Sequence, residues 1–388
     1  MFAATERAEF TINVLHLLNG EFFSGVEQVV TTLIRHHQRV DPKLVCLIEG
    51  AMAKRVTEGI FPEVLSMQNR LDHRTIYCLI RYVRKHRIHL IHAHTLRANL
   101  MGSITGRIAG LPVVVTIHSP AARETTHRLK NLMNSQLERF LIPLTTQYIA
   151  VCHSLGQEMV RRGVPASRLA VIKNGIDVQK YNQGDGTGLR LLLGLKEQQP
   201  LIGTIALLRP RKGIDVLLKA VPIVAKVIPE ARFVVIGDPE NARYGEYLHT
   251  LSQSLKITGS VDFVPFRQDI SDVLASLDIF VLPSLFGEGL PLVILEAMAA
   301  ARPVVGTSIE GIREAMVHGV TGFLVPPHDC QTLARSLINL LLDHDQKHRM
   351  GQAAQKRVRS HFDATAMTSR TEQLYHDVLL RCNSEAVS

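Results

Sequence analysis

The stretch Phe286-Gly-Glu-Gly-Leu-Pro-Leu-Val-Ile-Leu-Glu296 decides how this chain is read. An apolar, β-branched run, Ile279–Leu282, precedes it, and the residues from Pro291 to Ala301 read as a helix. Pro291 suits a first helical turn, where a missing N–H costs nothing and φ is already correct. Gly287 and Gly289 let the backbone come close to a ligand. Free N–H groups at the positive end of the helix then make a ready seat for a diphosphate. Glu288 in the loop and Glu296 on the second turn can both face that seat, and carboxylates accept hydrogen bonds from sugar hydroxyls.

Outward from this segment, short apolar runs alternate with longer helical patterns. Strands are expected at Ile12–Leu18, Lys43–Ile48, Leu90–His92, Val113–His118, Tyr148–Val151 and Ala170–Ile172. The second half repeats the pattern at Leu201–Leu207, Arg232–Ile236, Val261–Phe263, Ile279–Leu282, Pro303–Gly306 and Gly322–Val325. Helices are expected at Glu27–Val40, Arg74–His86 and Gly213–Val227, where apolar residues recur at three- and four-residue spacing. Strand–helix alternation with apolar strands reads as an α/β fold with parallel sheets covered on both faces. It occurs twice, which predicts two Rossmann-like lobes facing across a cleft, with ligands at the carboxyl ends of the strands. The expected division is a first lobe over 1–180, a polar, glycine-containing linker at Asp177–Gly188 and a second lobe over 189–363. A last helix over 364–388 is expected to pack back toward the first lobe.

At 388 residues the chain suits two domains, and its 20% charged content is that of a globular protein. No apolar run reaches the roughly 18 residues of a membrane span, and Met1–Phe10 lacks the apolar region of a signal peptide. Five scattered cysteines form no C-x-x-C pair, which points away from disulfides and zinc and toward the cytoplasm. Residues 1–183 hold 23 Lys/Arg against 13 Asp/Glu, a balance of +10, while the remainder nets −1. A basic first half suggests an anionic partner or simply a solvated face. In Arg74–Arg87, Ile76, Leu79, Ile80 and Val83 form one stripe beside Arg81, Arg84, Lys85 and Arg87. Interfacial helices show this pattern, and so do helices packed on a sheet. No nucleic-acid reader motif is present.

Glu288-x7-Glu296, with Gly-Leu-Pro between, resembles the Glu-x7-Glu motif of retaining GT-B glycosyltransferases, particularly glycosyltransferase family 4. The resemblance covers nearly the whole chain. It implies that Glu288 and the backbone of Gly289, Leu290 and Pro291 hold the donor's hexose and phosphates, with Glu296 on the ribose. His118, ending a strand, matches the family histidine beside the donor sugar, and His92-Ala-His94 resembles a pattern lining the same cleft. Ser24-Gly25-Val26-Glu27 stands where the family has Gly-Gly-Ala-Glu, a turn whose amides approach phosphate or acceptor; a helix N-cap by Ser24 is the other reading. Lys212 matches the phosphate-gripping lysine, but Leu207 occupies the place of the usual arginine, so Arg209 is the candidate replacement. Asn174-Gly175-Ile176-Asp177 looks like the interdomain turn, and Glu310 replaces a glycine of the family's Gly-Gly-x-x-Glu loop.

There is no dinucleotide fingerprint after the first strand, no Walker loop, nucleophile elbow or H-E-x-x-H, and no Asp-x-Asp on a strand end to hold a divalent metal. The expectation is therefore a metal-independent, retaining transferase with no cofactor beyond its co-substrate, an NDP-sugar. The expected acceptor is lipid-linked or a polysaccharide, with an anionic membrane surface as a further partner and no nucleic acid. Two alternatives stay open: a nucleotide-sugar epimerase of the same architecture, and a non-catalytic nucleotide-sugar-binding protein.

Overall fold

A computed structural model describes residues 11–21, 24–52, 61–68, 72–120 and 128–387, so Met1–Phe10 lies outside the described residues. The first half runs β1 (Ile12–Leu18), α1 (Gly25–His36), β2 (Val40–Cys46), β3 (Glu63–Val64), α2 (His73–Lys85), β4 (Leu90–Ala93), α3 (Leu96–Ala109), β5 (Val113–Ile117), α4 (Arg128–Leu141), β6 (Gln147–Ala150), α5 (His153–Arg161) and β7 (Leu169–Val171). Two short helices follow, α6 (Val178–Tyr181) and α7 (Thr187–Leu192). The second half runs β8 (Leu201–Ile205), α8 (Ile214–Ala225), β9 (Arg232–Ile236), α9 (Ala242–Ser254), β10 (Val261–Val264), α10 (Ile270–Ser276), β11 (Ile279–Leu282), α11 (Leu292–Ala299), β12 (Val304–Thr307), α12 (Glu310–Ala315) and β13 (Gly322–Val325). Three helices close the chain: α13 (Cys330–Leu342), α14 (His344–His361) and α15 (Ala364–Val387).

Each half forms one parallel sheet, ordered β3-β2-β1-β4-β5-β6-β7 and β10-β9-β8-β11-β12-β13. Strand order reverses between β1 and β4 and between β8 and β11, which is where open sheets of this kind leave a crevice for ligands. The central strands β4, β5, β6, β8, β11 and β12 are buried on both faces, as covered parallel sheets require, while the edge strands are only partly buried. Helices α2 to α5 link successive strands in one direction across the first sheet, so right-handed crossovers put them on one face; α1 lies on the other.

The expected helix over Glu27–Val40 stops at His36, because Val40 pairs with Ile12 and opens β2 three residues earlier than its apolar run suggests. Strand β3 has only two residues, too few for periodicity to reveal. The Asp177–Gly188 stretch, read as a plain linker, contains α6, and its Tyr181 is buried. In α2 the stripe read as interfacial turns inward: Leu79 and Val83 are buried and Ile76 and Ile80 half-buried against the core. That stripe is spent on packing.

The last crossing between the halves is tight. Ile176 N donates to Phe362 O at 2.9 Å and Ala364 N to Ile176 O at 3.1 Å, and a Cβ on Gly175 would lie 2.5 Å from Asp363 O. Helix α15 then lies beside α1, with Tyr375 fully buried in the first half. Its Glu372 Oε1 accepts from His37 Nδ1 and from the amides of Gln38 and Arg39, closing the turn after α1.

Candidate functional site

The two sheet reversals carry two polar clusters. In the second half, the loop after β8 ends in a 3₁₀ turn, Pro210–Lys212, followed by Gly213 at φ 65°. A Cβ on Gly213 would stand 2.1 Å from Pro283 O, so this loop presses on the loop after β11. The contact brings Lys212 and Arg211 to Glu288. Its Oε1 accepts from Lys212 Nζ at 2.5 Å, Ser284 Oγ at 2.7 Å and Arg211 Nη1 at 3.3 Å. Burial alone would raise the Glu288 pKa, but Lys212 and Arg211 outweigh it and hold the carboxyl near 2. Burial lowers the Lys212 pKa and Glu288 only partly restores it. Two cations, Lys212 and Arg211, share the one Glu288 carboxylate.

Gly289 follows. A Cβ there would lie 2.0 Å from His118 O, so the loop meets the end of β5 in the first half and tolerates no side chain. Asn174 Nδ2 donates to Leu290 O at 3.0 Å, and Glu310 Oε2 lies 3.4 Å from the Glu288 amide. Pro291 is the N-cap of α11, one position earlier than the first helical turn. Glu296, buried on α11, accepts from Gln28 Nε2 of α1 at 2.5 Å and from the Tyr181 hydroxyl at 2.9 Å. Gln28 also donates to Tyr181 at 2.8 Å. Burial raises the Glu296 pKa, and these bonds offset only part of the rise.

In the first half, His16 and His92 are register partners on β1 and β4, and His94 follows two residues on. All three are buried. His16 Nδ1 meets His94 Nε2 at 3.1 Å, and His94 Nδ1 lies 3.5 Å from Nε2 of the half-buried His118. Burial lowers all four pKa values, to about 4 for His118, so the imidazoles are neutral at physiological pH. His16, His92 and His94 have ring nitrogens within 4.8 Å of one another, a spacing a metal ion could use. Both nitrogens of His92 are already engaged, by Tyr375 OH at 2.5 Å and Thr116 Oγ1 at 2.7 Å, so the cluster is a hydrogen-bonded network.

Of the residues singled out in the sequence, Glu288 and Lys212 meet directly, His118 and Gly289 touch across the halves, and Glu296 reaches α1. Ser24 Oγ and its amide both bond Glu27 Oε2, at 2.6 and 3.0 Å, forming a capping box, while Gly25 faces open space. Arg209 points elsewhere, its Nε 3.2 Å from Glu240 Oε1. Arg211, Gln28, Tyr181 and Ser284 were not singled out. Arg211 had a signal, since it adjoins Lys212 in a basic run; Gln28 lies one turn after Ser24, and only the fold shows that this face meets Glu296.

Comparison with known proteins agrees with this geometry. Residues 23–180 match the model of Glycosyltransferase Family 4 and residues 192–357 that of Glycosyl transferases group 1. The chain is 26% identical over 385 residues to the UDP-Gal:alpha-D-GlcNAc-diphosphoundecaprenol alpha-1,3-galactosyltransferase of Escherichia coli, covering 95% of this chain and 98% of that one. It is 30% identical over 297 residues to the N-acetyl-alpha-D-glucosaminyl L-malate synthase of Bacillus anthracis, covering 75% and 74%. The crystal structure of Anabaena HepE in complex with UDP superposes with a TM-score of 0.82 at 25% identity, covering 94% of this chain and 100% of that one. With a Glu288/Lys212 cluster at one sheet reversal, a histidine-lined wall at the other and both family models matched in order, the chain belongs to the GT-B glycosyltransferases of family 4.

Proposed function

We propose that this chain is a retaining, metal-independent glycosyltransferase that moves a hexose or N-acetylhexosamine from a UDP- or GDP-linked sugar to a lipid-linked or polysaccharide acceptor. Cell-envelope glycan synthesis at the inner face of the membrane is its setting. The observation that supports this reading best is the pair of cations, Lys212 and Arg211, on the buried Glu288. A diphosphate entering the cleft finds positive charge already desolvated and aimed, which stabilises the leaving nucleoside diphosphate. Glu296 takes the ribose hydroxyls and Glu288 lies near the sugar. Neutral His118 hydrogen-bonds a sugar hydroxyl without adding charge. The bond from the anomeric carbon to phosphate breaks while a bond to the acceptor oxygen forms on the same face, and the acceptor proton passes to the departing phosphate. Retention and the same-face route are what family membership implies. Arg209, Ser24 and Gly25 are assigned a secondary part in donor binding.

The lipid-linked acceptor is proposed by analogy with the Escherichia coli relative, whose name specifies a diphosphoundecaprenol acceptor. Among the described residues no helix is long and apolar enough to cross a membrane. Screening purified protein against UDP-, GDP- and ADP-sugars, with product analysis by NMR, tests the reading. Release of the nucleotide with transfer of an α-linked sugar upholds it. Conversion of the free NDP-sugar to its epimer, or binding without turnover, would replace it with one of the two alternatives.

A further inference from the structure

Helix α4 turns a mixed side inward: Leu141 is buried and Leu137 half-buried against the core, Asn134 and Glu138 are buried beside them, and Arg162, just beyond α5, bonds both Glu138 and Ser135. Its outward side carries Leu129, Leu132, Met133 and Phe140, exposed by 71%, 55%, 57% and 68%. With Gln136, these five fall within an arc of roughly 100° on the helix, the width of the stripe that an ordinary surface helix turns toward its core. Leu137, Leu141 and the polar contacts hold α4 to the lobe, while a second apolar stripe on its opposite side is left in solvent.

The exposed charge around this stripe is mainly basic; on α5, Glu158 is paired with Arg161 and Arg162. Exposed Lys130 and Arg139 flank it on α4, and the only acidic residue of α4 is the buried Glu138. Helices α3 and α2 continue the same face of the sheet, and neither contains an aspartate or glutamate. They expose Arg107 on α3 and Arg81, Arg84 and Lys85 on α2. This face gathers much of the basic excess of the first half. In a strand–helix–strand unit the helix begins at the carboxyl end of the preceding strand, so the Leu129 end of α4 stands at the level of His118 and the cleft.

We propose that the α4 face is a membrane-docking surface: Leu129, Leu132, Met133 and Phe140 enter the headgroup layer of an anionic bilayer, while the bases of α2, α3 and α4 lie on its phosphates. Projecting Leu, Met and Phe side chains with a rim of cations suit a fluid, negatively charged surface. Docking there would hold the cleft beside a lipid-linked acceptor. The inference rests on the lipid-linked acceptor of the proposed function, and its test is read apart from transfer.

The test is flotation of the full-length protein with vesicles of phosphatidylglycerol and phosphatidylcholine, beside vesicles of phosphatidylcholine alone. The expected result is binding to the anionic vesicles that weakens roughly tenfold or more in Leu132→Ser/Phe140→Ser and again in Lys130→Glu/Arg139→Glu. UDP binding and the melting temperature should stay unchanged, showing that the variants are folded with an intact donor site. Absence of wild-type binding, or equal binding by both variants, would overturn the proposal. So would a dimer in solution that the Leu132→Ser/Phe140→Ser variant dissolves, because a second copy would then be what covers the stripe. Vesicle binding that depends on α4, in an enzyme that transfers only to a soluble sugar, would uphold the surface and refute the lipid-linked acceptor.

Discussion

The two sheet reversals solve the same problem, a polar cluster at the mouth of a parallel sheet, in opposite ways. In the second lobe a buried carboxylate is kept ionised by two cations. In the first, imidazoles are kept neutral by burial and bonded to one another, Thr116 and Tyr375, with His16 Nε2 left unpaired. In the proposed function this places charge where a diphosphate would be held and released, and directional, uncharged hydrogen bonding where sugar and acceptor would be positioned.

The largest expected effect breaks the charged cluster. Lys212→Ala should lower kcat/KM by roughly 10²–10³-fold, as loss of a preorganised electrostatic contact does; steady-state kinetics with the preferred donor would show it. Activity within a few-fold of wild type would remove Lys212 from the phosphate site. Next, the neutral wall of the cleft should need shape and hydrogen bonding but no charge. His118→Phe should cost about 10–100-fold in activity, consistent with leaving a polar group unpaired, and His118→Asn distinctly less. With its pKa near 4, His118 should leave no kinetic step at an ordinary histidine value near 6.5. A kcat/KM profile with a limb there that vanishes in His118→Asn would contradict this.

Stability against pH separates the clusters in one experiment. His16, His92 and His94 have folded pKa values well below 6.5, so the unfolded chain takes up their protons first and stability falls as pH drops below about 6.5. Glu288 has the same sign in a lower window: its contribution is present above about 4.5 and lost as pH falls from there toward 2. Melting temperature from pH 8 to 4 should therefore bend first near 6.5, and His94→Gln should flatten that upper bend. The smallest effect is expected at Arg209, which is paired with half-exposed Glu240 away from the cluster. Arg209→Ala should change kcat/KM by less than about fivefold, in keeping with the small worth of exposed pairs.

Much of this was legible in the sequence because strand and helix signals are local. Ile12–Leu18, Arg232–Ile236, Ile279–Leu282 and Gly322–Val325 are strands at the residues their apolar runs mark. Glu288, Lys212 and Glu296 were legible because a known motif names them. What stayed hidden depends on tertiary contact. Gln28 matters because α1 faces α11, Tyr181 because a short helix forms inside a polar stretch, and His16 because its register partner is His92. The stripe on α2 had two readings for the same reason, since periodicity shows that a stripe exists but not which surface it meets; the structure packs it on the core.

The return of α15 to the first lobe has a consequence for how the protein is made. The second lobe is one uninterrupted stretch of chain, but the first is not. His92 bonds Tyr375, and Glu372 closes the turn after α1. While the ribosome is still emitting the second lobe, the first has its sheet and its His16–His94 and His92–Thr116 contacts, but His92 Nδ1 has only water in place of Tyr375. Domains made first generally fold first; here the lobe begun first is completed last, when the final helix leaves the exit tunnel and shuts water out of the imidazole cluster.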